Sequence, residues 1–279
     1  MPLTLRYVVA DVFTDTPLTG NQLAVFTDGR EVDDATMQAL AKEMNVSETV
    51  FVLPSESAHA RIRIFTPTAE LLFAGHPTLG SAFVLGQPLQ LTEIRLETGA
   101  GVVPVRLERE GARVSFGWMT QPIPNWRTYE RADELLSALG VESELPVDWY
   151  DVGPSHVFVA LRSPEEVAAL RPNTQVLSEF PVGVNCFAPL DAHWKTRVFV
   201  PFIGIPEDPA TGSAAGPFAV HLLRHGRIRS GDQVEIEQGA ELGRPSRVFA
   251  RAKGTPDTIE RVEVGGSAVV VARGEFRLP

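Results

Sequence analysis

The feature that most restricts how this chain can fold is an internal repeat. "HPTLGSA" from His76 and "DPATGSA" from Asp208 read as one pattern: a polar lead, Pro, two variable positions, then Gly, Ser and Ala. Upstream of each stands a strand-like stretch of one form, "RIFTP" from Arg63 and "RVFVP" from Arg197. Before those, "SETVFV" from Ser47 resembles "SHVFV" from Ser155. Three elements recurring in the same order argue for two halves of related architecture, because one short match of common residue types could arise by chance. A chain of 279 residues can bury the cores of two such halves.

The halves read as α+β. Apolar alternation in "RIRIF" (Arg61 to Phe65) and "VRLE" (Val105 to Glu108) marks half-buried strands, and short runs of this kind recur to the C-terminus. Helices are fewer. Asp33 to Met44 places Met37, Leu40, Ala41 and Met44 on one face, "SPEEVAAL" opens with a capping box from Ser163 to Glu166, and one helix follows each opening motif of the repeat. The Pro-rich "TQPIPNW", Thr120 to Trp126, is the natural join. The expected halves are 1–124 and 125–279, with the last strand free to pack back on the first half.

A net charge of −10 without clustered Lys and Arg argues against a nucleic-acid surface and leaves small molecules or proteins as partners. The opening "MPLTLRYVVADVF" is too short an apolar run for a membrane span and lacks a small-residue cleavage site, so it is expected to be a strand of a cytoplasmic protein. The single cysteine, Cys186, cannot form a disulfide within the chain, a two-thiol site or a Cys-rich zinc site, which fits a reducing compartment.

Three ionisable residues stand out. Asp208 followed by Pro209 reads as a helix N-cap with Pro at the first helical position, a structural role on its own. The same geometry also aims unpaired amides, with Gly75 and Gly212 nearby, at an anion such as a carboxylate. His76 is a poorer cap than Asp, so it suits either proton handling or a satisfied structural hydrogen bond. In "NVSETVFVL" a strand would put Val46, Glu48, Val50 and Val52 on one face. Glu48 is then either a rim residue in solvent or a carboxyl among valines, whose raised pKa suits taking and returning a proton.

Other motifs are weaker. "HLLRH" spaces His221 and His225 four apart, but Leu222 stands where a zinc-protease helix needs Glu. "GAGVVP" from Gly99 lacks the third glycine of a dinucleotide fingerprint, and "GSAAG" around Ser213 is not a nucleophile elbow. Trp118 and Trp126 read as core or interface anchors.

At "NVSETVFV", "IFTPTAELLFAGHPTLGSA" and "EDPATGSAAGPFAVHLLRHG" the sequence resembles the PhzF family, the phenazine-biosynthesis isomerases related to diaminopimelate epimerase. "MTQPIPNW", "GPSHVFVAL", "VNCFAP" and "GAELGRPS" extend the likeness along the chain. The resemblance implies a diaminopimelate epimerase-like fold: two pseudo-symmetric domains, each a strand-rich barrel around a central helix, in a homodimer with neither cofactor nor metal. It implies isomerisation of trans-2,3-dihydro-3-hydroxyanthranilate, a small cyclic amino acid, to 6-amino-5-oxocyclohex-2-ene-1-carboxylate. By the same likeness Glu48 falls on the catalytic glutamate, His76 and Asp208 on its polar partners, and Ser213 on a neighbouring site position. Ser47 joins the substrate-binding set, and Gly75 and Gly212 would bind through backbone amides.

Two other functions are compatible with these residues. An amino-acid epimerase or racemase needs two opposed acid–base groups, and one cysteine outside both turns cannot supply the usual thiol pair. A non-catalytic binder of an anionic metabolite needs only the helix-end amides.

Overall fold

The structure, a computed structural model, describes residues 3–278. The chain forms two compact units, residues 1–120 with 265–279 and residues 121–264. The expected second half, 125–279, therefore overruns the second unit. The cause is strand pairing: the last strand, β18 (Ala268–Leu278), runs antiparallel to β1 (Leu3–Val12) along its whole length, from Leu3 opposite Leu278 to Val12 opposite Ala268.

In the first unit β1 also pairs with β2 (Asn21–Phe26), and helix α1 (Asp34–Met44) leads to β3 (Glu48–Leu53), which lies parallel to β2. Asp33 caps α1 by accepting from the Thr36 amide at 2.7 Å, and Asn45 ends it in the left-handed region at φ 50°. Met37, Leu40 and Ala41 turn its apolar face onto Phe26, Phe51 and Phe65, with Phe26 and Phe51 stacked at 4.7 Å. From β3 the chain runs antiparallel into β4 (Ala60–Phe65) and the short β5 (Glu70–Leu71), then enters helix α2 (Gly75–Gly86). Next, β6 (Glu93–Thr98) lies parallel to β4, and β7 (Gly101–Glu110) and β8 (Arg113–Gln121) extend the sheet antiparallel.

Helix α2 is apolar nearly all round and buried from Gly75 to Phe83, as a helix wrapped by strands must be. It packs on β1, β2, β3, β6, β7 and β18. Gly80 makes the close approach possible, since a Cβ there would lie 2.6 Å from Leu23 and 2.7 Å from Val12.

The second unit repeats the plan. After β9 (Asn125–Thr128) and α3 (Ala132–Leu139), β10 (Asp148–Asp151) pairs antiparallel with β11 (Ser155–Ala160). Short helices α4 (Pro164–Ala169) and α5 (Thr174–Leu177) cross to β12 (Gly183–Leu190), which lies parallel to β11. The expected capping box at α4 is half made: Ser163 accepts from the Glu166 amide, while the Glu166 carboxylate reaches the amide of Arg162 rather than that of Ser163. Then come β13 (His193–Val200), β14 (Ile205–Asp208), the buried helix α6 (Gly212–Arg224), β15 (Gln233–Gln238), β16 (Ser246–Gly254) and β17 (Ile259–Gly266). Each unit thus runs antiparallel pair, parallel crossover, antiparallel return, buried helix, then a strand parallel to the return strand. This is the α+β, diaminopimelate epimerase-like plan. No helix among the described residues is long and apolar enough to cross a membrane.

The registers correct two expectations about the repeat. Arg63 on β4 faces Phe51 of β3, and Arg197 on β13 faces Cys186 of β12, so the counterpart of β3 is β12. The "SHVFV" strand, β11, corresponds to β2 instead. The second correction concerns the turns. Asp208 is not an N-cap with Pro209 at the first helical position, because α6 begins at Gly212 after Thr211, whereas His76 already lies inside α2. With both helices aligned at their starts, Gly75 matches Gly212 and His76 matches Ser213. Two bidentate ion pairs fix that alignment: Arg63 holds Glu70 at 2.7 Å through both nitrogens, and Arg197 holds Glu207 at 2.9 and 2.7 Å. Each guanidinium also lies over a phenylalanine, Phe65 at 5.1 Å and Phe199 at 5.0 Å.

Candidate active site

In the first unit the crossover delivers Glu48 to the first position of β3, and the Arg63–Glu70 clamp delivers His76 to the second position of α2. His76 Nε2 lies 3.3 Å from Glu48 Oε2, with the carboxylate side chain 12% exposed and the imidazole 4% exposed. Val46 stands before the strand, and β3 is buried on both faces, so Glu48 sits at the head of an apolar strand. Burial pulls the His76 pKa down to about 3, with a partial offset from the Gln22 main chain, so the ring is neutral at neutral pH. On the other side of the ring Asn21 Nδ2 lies 3.3 Å from Nδ1, and Ser47 Oγ donates to Asn21 Oδ1 at 3.1 Å. An amide hydrogen aimed at Nδ1 favours the ring proton on Nε2, the nitrogen facing Glu48. No side chain caps α2, whose first amides belong to Gly75 and His76. Ser47, Glu48, Gly75 and His76 therefore form one cluster, and Asn21 joins it. In sequence Asn21 is signalled only by the turn before it, where Gly20 takes φ 69°.

The second unit gathers Asp208, Gly212 and Ser213. Asp208 closes β14, and its Oδ2 accepts from Thr211 Oγ1 at 2.6 Å. Gln238 clamps the segment that follows: its Nε2 donates to Asp208 O and Thr211 Oγ1, and its Oε1 accepts from the Thr211 amide. Ser246 Oγ donates to Pro209 O at 2.9 Å. Gly239, at φ 79°, lets the Pro209 carbonyl approach, since a Cβ there would meet it at 2.5 Å. Helix α6 has no side-chain cap either, and its first amides belong to Gly212 and Ser213. His156 Nε2 lies 3.1 Å from Ser213 Oγ. Gln238 and His156 carry no sequence signal that marks them out from ordinary strand residues.

The remaining singled-out residues have structural partners. Asp148 Oδ2 takes Arg224 Nη1 at 2.8 Å and His225 Nε2 at 2.9 Å, with His221 Nδ1 at 3.9 Å. These three acid and imidazole groups lie within 4.8 Å of one another, in metal-ligating proximity. However, Arg224 already places a fixed positive charge on the one carboxylate oxygen they share, and it also holds the Tyr150 hydroxyl at 2.9 Å. The set ties the C-terminal part of α6 to β10. Cys186 is fully buried, which pushes its thiol pKa up to about 12.

Comparison with known proteins places the chain in a family. The Phenazine biosynthesis-like protein family matches residues 10–274. Trans-2,3-dihydro-3-hydroxyanthranilate isomerase of Pseudomonas aeruginosa is 50% identical over 98% of this chain and 99% of its own. The crystal structure of a PhzF-family phenazine biosynthesis protein from Bacillus anthracis superposes with a TM-score of 0.87 at 25% identity, over 98% of this chain and 99% of that one. A hydroxyproline epimerase from Agrobacterium vitis shares the fold at TM-score 0.71 and 13% identity, over 99% and 93% of the two chains. With the family spanning nearly every described residue, this chain belongs to the phenazine biosynthesis-like proteins.

Proposed function

We propose that the protein isomerises trans-2,3-dihydro-3-hydroxyanthranilate to 6-amino-5-oxocyclohex-2-ene-1-carboxylate, acting as a homodimer without cofactor or metal. The observation that carries this reading is a half-identical, full-length likeness to an enzyme of that name, combined with a buried carboxylate beside a neutral imidazole. Glu48 takes the proton from ring C3 and returns it to C1, a transfer one carboxylate can perform on one face of the ring. A cationic histidine would pair with Glu48 and lower its basicity; the neutral His76 instead offers Nε2–H as a hydrogen-bond donor. Asp208 and Ser213 orient the polar substituents, and the uncapped amides of Gly75 and Gly212 bind them.

The fold is shared with a hydroxyproline epimerase, but two-base inversion has little support, since Gly183 stands where the second unit would repeat Glu48. The test is incubation of wild type and Glu48→Gln with trans-2,3-dihydro-3-hydroxyanthranilate in D₂O, followed by NMR, with light scattering of the same sample reading twice the 30.4 kDa chain mass. Substrate loss in wild type alone, with label next to the carboxylate, is expected. Label at a single inverted centre would point to an epimerase, and unchanged substrate with both proteins would return the chain to the class of binders.

A further inference from the structure

The two units hold unlike pairs at one structural address. In the first, the strand start and the helix start bring Glu48 to 3.3 Å from His76. In the second, the matching positions are Gly183 and Ser213, and the imidazole comes from the neighbouring strand: His156 of β11 pairs in register with Gly183 of β12. A Cβ at Gly183 would run into His156 Nδ1, so the missing side chain is what admits the ring. The ring then reaches Ser213 Oγ at 3.1 Å, where Glu48 in the other unit reaches His76.

The hydrogen-bond inventory gives this contact a direction. Asn185 Nδ2 donates to Val157 O at 3.2 Å and to Gly183 O at 3.1 Å, and it faces His156 Nδ1 at 3.4 Å. Its two hydrogens are taken by the two carbonyls, and an amide NH₂ offers no acceptor for an Nδ1–H, so the ring proton belongs on Nε2. His156 is 3% exposed, and burial lowers its pKa to about 4, which keeps it neutral. Nε2–H therefore donates to Ser213 Oγ. Among the described residues Ser213 Oγ has no other partner, so its own hydrogen is left to be given away. The hydroxyl stands beside the uncapped amides of Gly212 and Ser213, and all three groups donate.

We propose that His156 is a positioning residue that makes Ser213 a one-way donor to the carboxylate of the substrate. This rests on the isomerase reading for the identity of that substrate. It does not rest on that reading for the carboxylate chemistry, which the three donors define.

The experiment compares wild type, His156→Phe, His156→Gln, Ser213→Ala and the His156→Phe/Ser213→Ala double variant, each checked for folding by thermal melting. Gln can place an N–H where Nε2 stands, and Phe cannot. KM and kcat are read with trans-2,3-dihydro-3-hydroxyanthranilate, and binding of anthranilate and of its methyl ester is read by calorimetry. Loss of a hydrogen bond to a charged group corresponds to roughly a 10- to 100-fold effect. His156→Phe is therefore expected to raise KM and weaken anthranilate binding by that factor, with kcat little changed and ester binding untouched. His156→Gln should stay within about threefold of wild type, and the Phe change should cost under about twofold once Ser213 is Ala. The proposal is overturned if Gln is as damaging as Phe, or if the Phe effect persists undiminished in the Ser213→Ala background. If wild type binds anthranilate without turning over the substrate, the isomerase reading fails while the anthranilate series still judges His156. If wild type neither binds nor turns over, both ideas fall.

Discussion

His76 and His156 show how much a single buried ring can control. Both are held neutral by burial, with pKa values near 3 and 4 against an ordinary 6.5. The unfolded chain takes up protons on these rings as soon as pH falls below 6.5, and the folded chain does not. The stability tied to their neutral state is complete above that pH and is lost progressively on acidification towards 4 and 3. Between pH 7 and pH 5 each ring should cost about 2 kcal/mol of folding free energy. Urea melts at the two pH values check this with the Gln variant used above: His156→Gln should lose about 2 kcal/mol less than wild type over that interval. Equal losses would mean that the His156 ring is already solvated. Glu48 was legible as a carboxyl among valines, and His76 as a histidine where a cap was expected. Asn21 was not, because its role comes from a contact across many residues of sequence, with Ser47 on one side and His76 on the other.

At the scale of elements, the repeat could be read but its register could not. "HPTLGSA" and "DPATGSA" share small residues because buried helices need them, so the match reflects packing and slides along the helix start. The true register lies in Arg63 with Glu70 and Arg197 with Glu207, which different loop lengths separate unequally along the chain. These pairs fasten β5 and β14, the segments that feed α2 and α6, so they hold both helix starts in place. They differ in burial: the side chains of Arg197 and Glu207 are 7% and 10% exposed, whereas Glu70 is 40% exposed. Arg197 also donates to the Leu170 carbonyl at 2.8 Å. Arg197→Met would strand a buried carboxylate and a main-chain acceptor, and should cost about 3–5 kcal/mol. Arg63→Met leaves Glu70 to water and should cost about 1 kcal/mol. Urea denaturation of both variants measures the difference; similar losses would mean that burial does not set the strength of the clamp.

At the scale of the whole molecule, the expected boundary at 124 separated the halves where the sequence looks like a linker, yet the first unit is discontinuous and needs residues 265–279. Strand partners distant in sequence leave no local mark, so the return of β18 could be suspected but not placed. The consequence is physical. Without β18, the whole of β1 becomes an exposed edge, and its row of unpaired amides and carbonyls invites association. Phe276, which packs against Tyr7 at 5.5 Å and Phe26 at 5.8 Å, would be lost from the apolar cluster under α1. A fragment of residues 1–124 should therefore aggregate or lack cooperative unfolding. The antiparallel register sets Leu278 beside Leu3, so a short Gly-Ser linker can join the two ends without spanning any distance. A permuted fragment running 265–279, linker, then 3–120 restores the pairing and should unfold cooperatively in urea, with a far-ultraviolet circular dichroism spectrum rich in strand. If 1–124 alone unfolds as cooperatively as the permuted fragment, then β18 is an accessory to the first unit and the boundary read from sequence was the physical one.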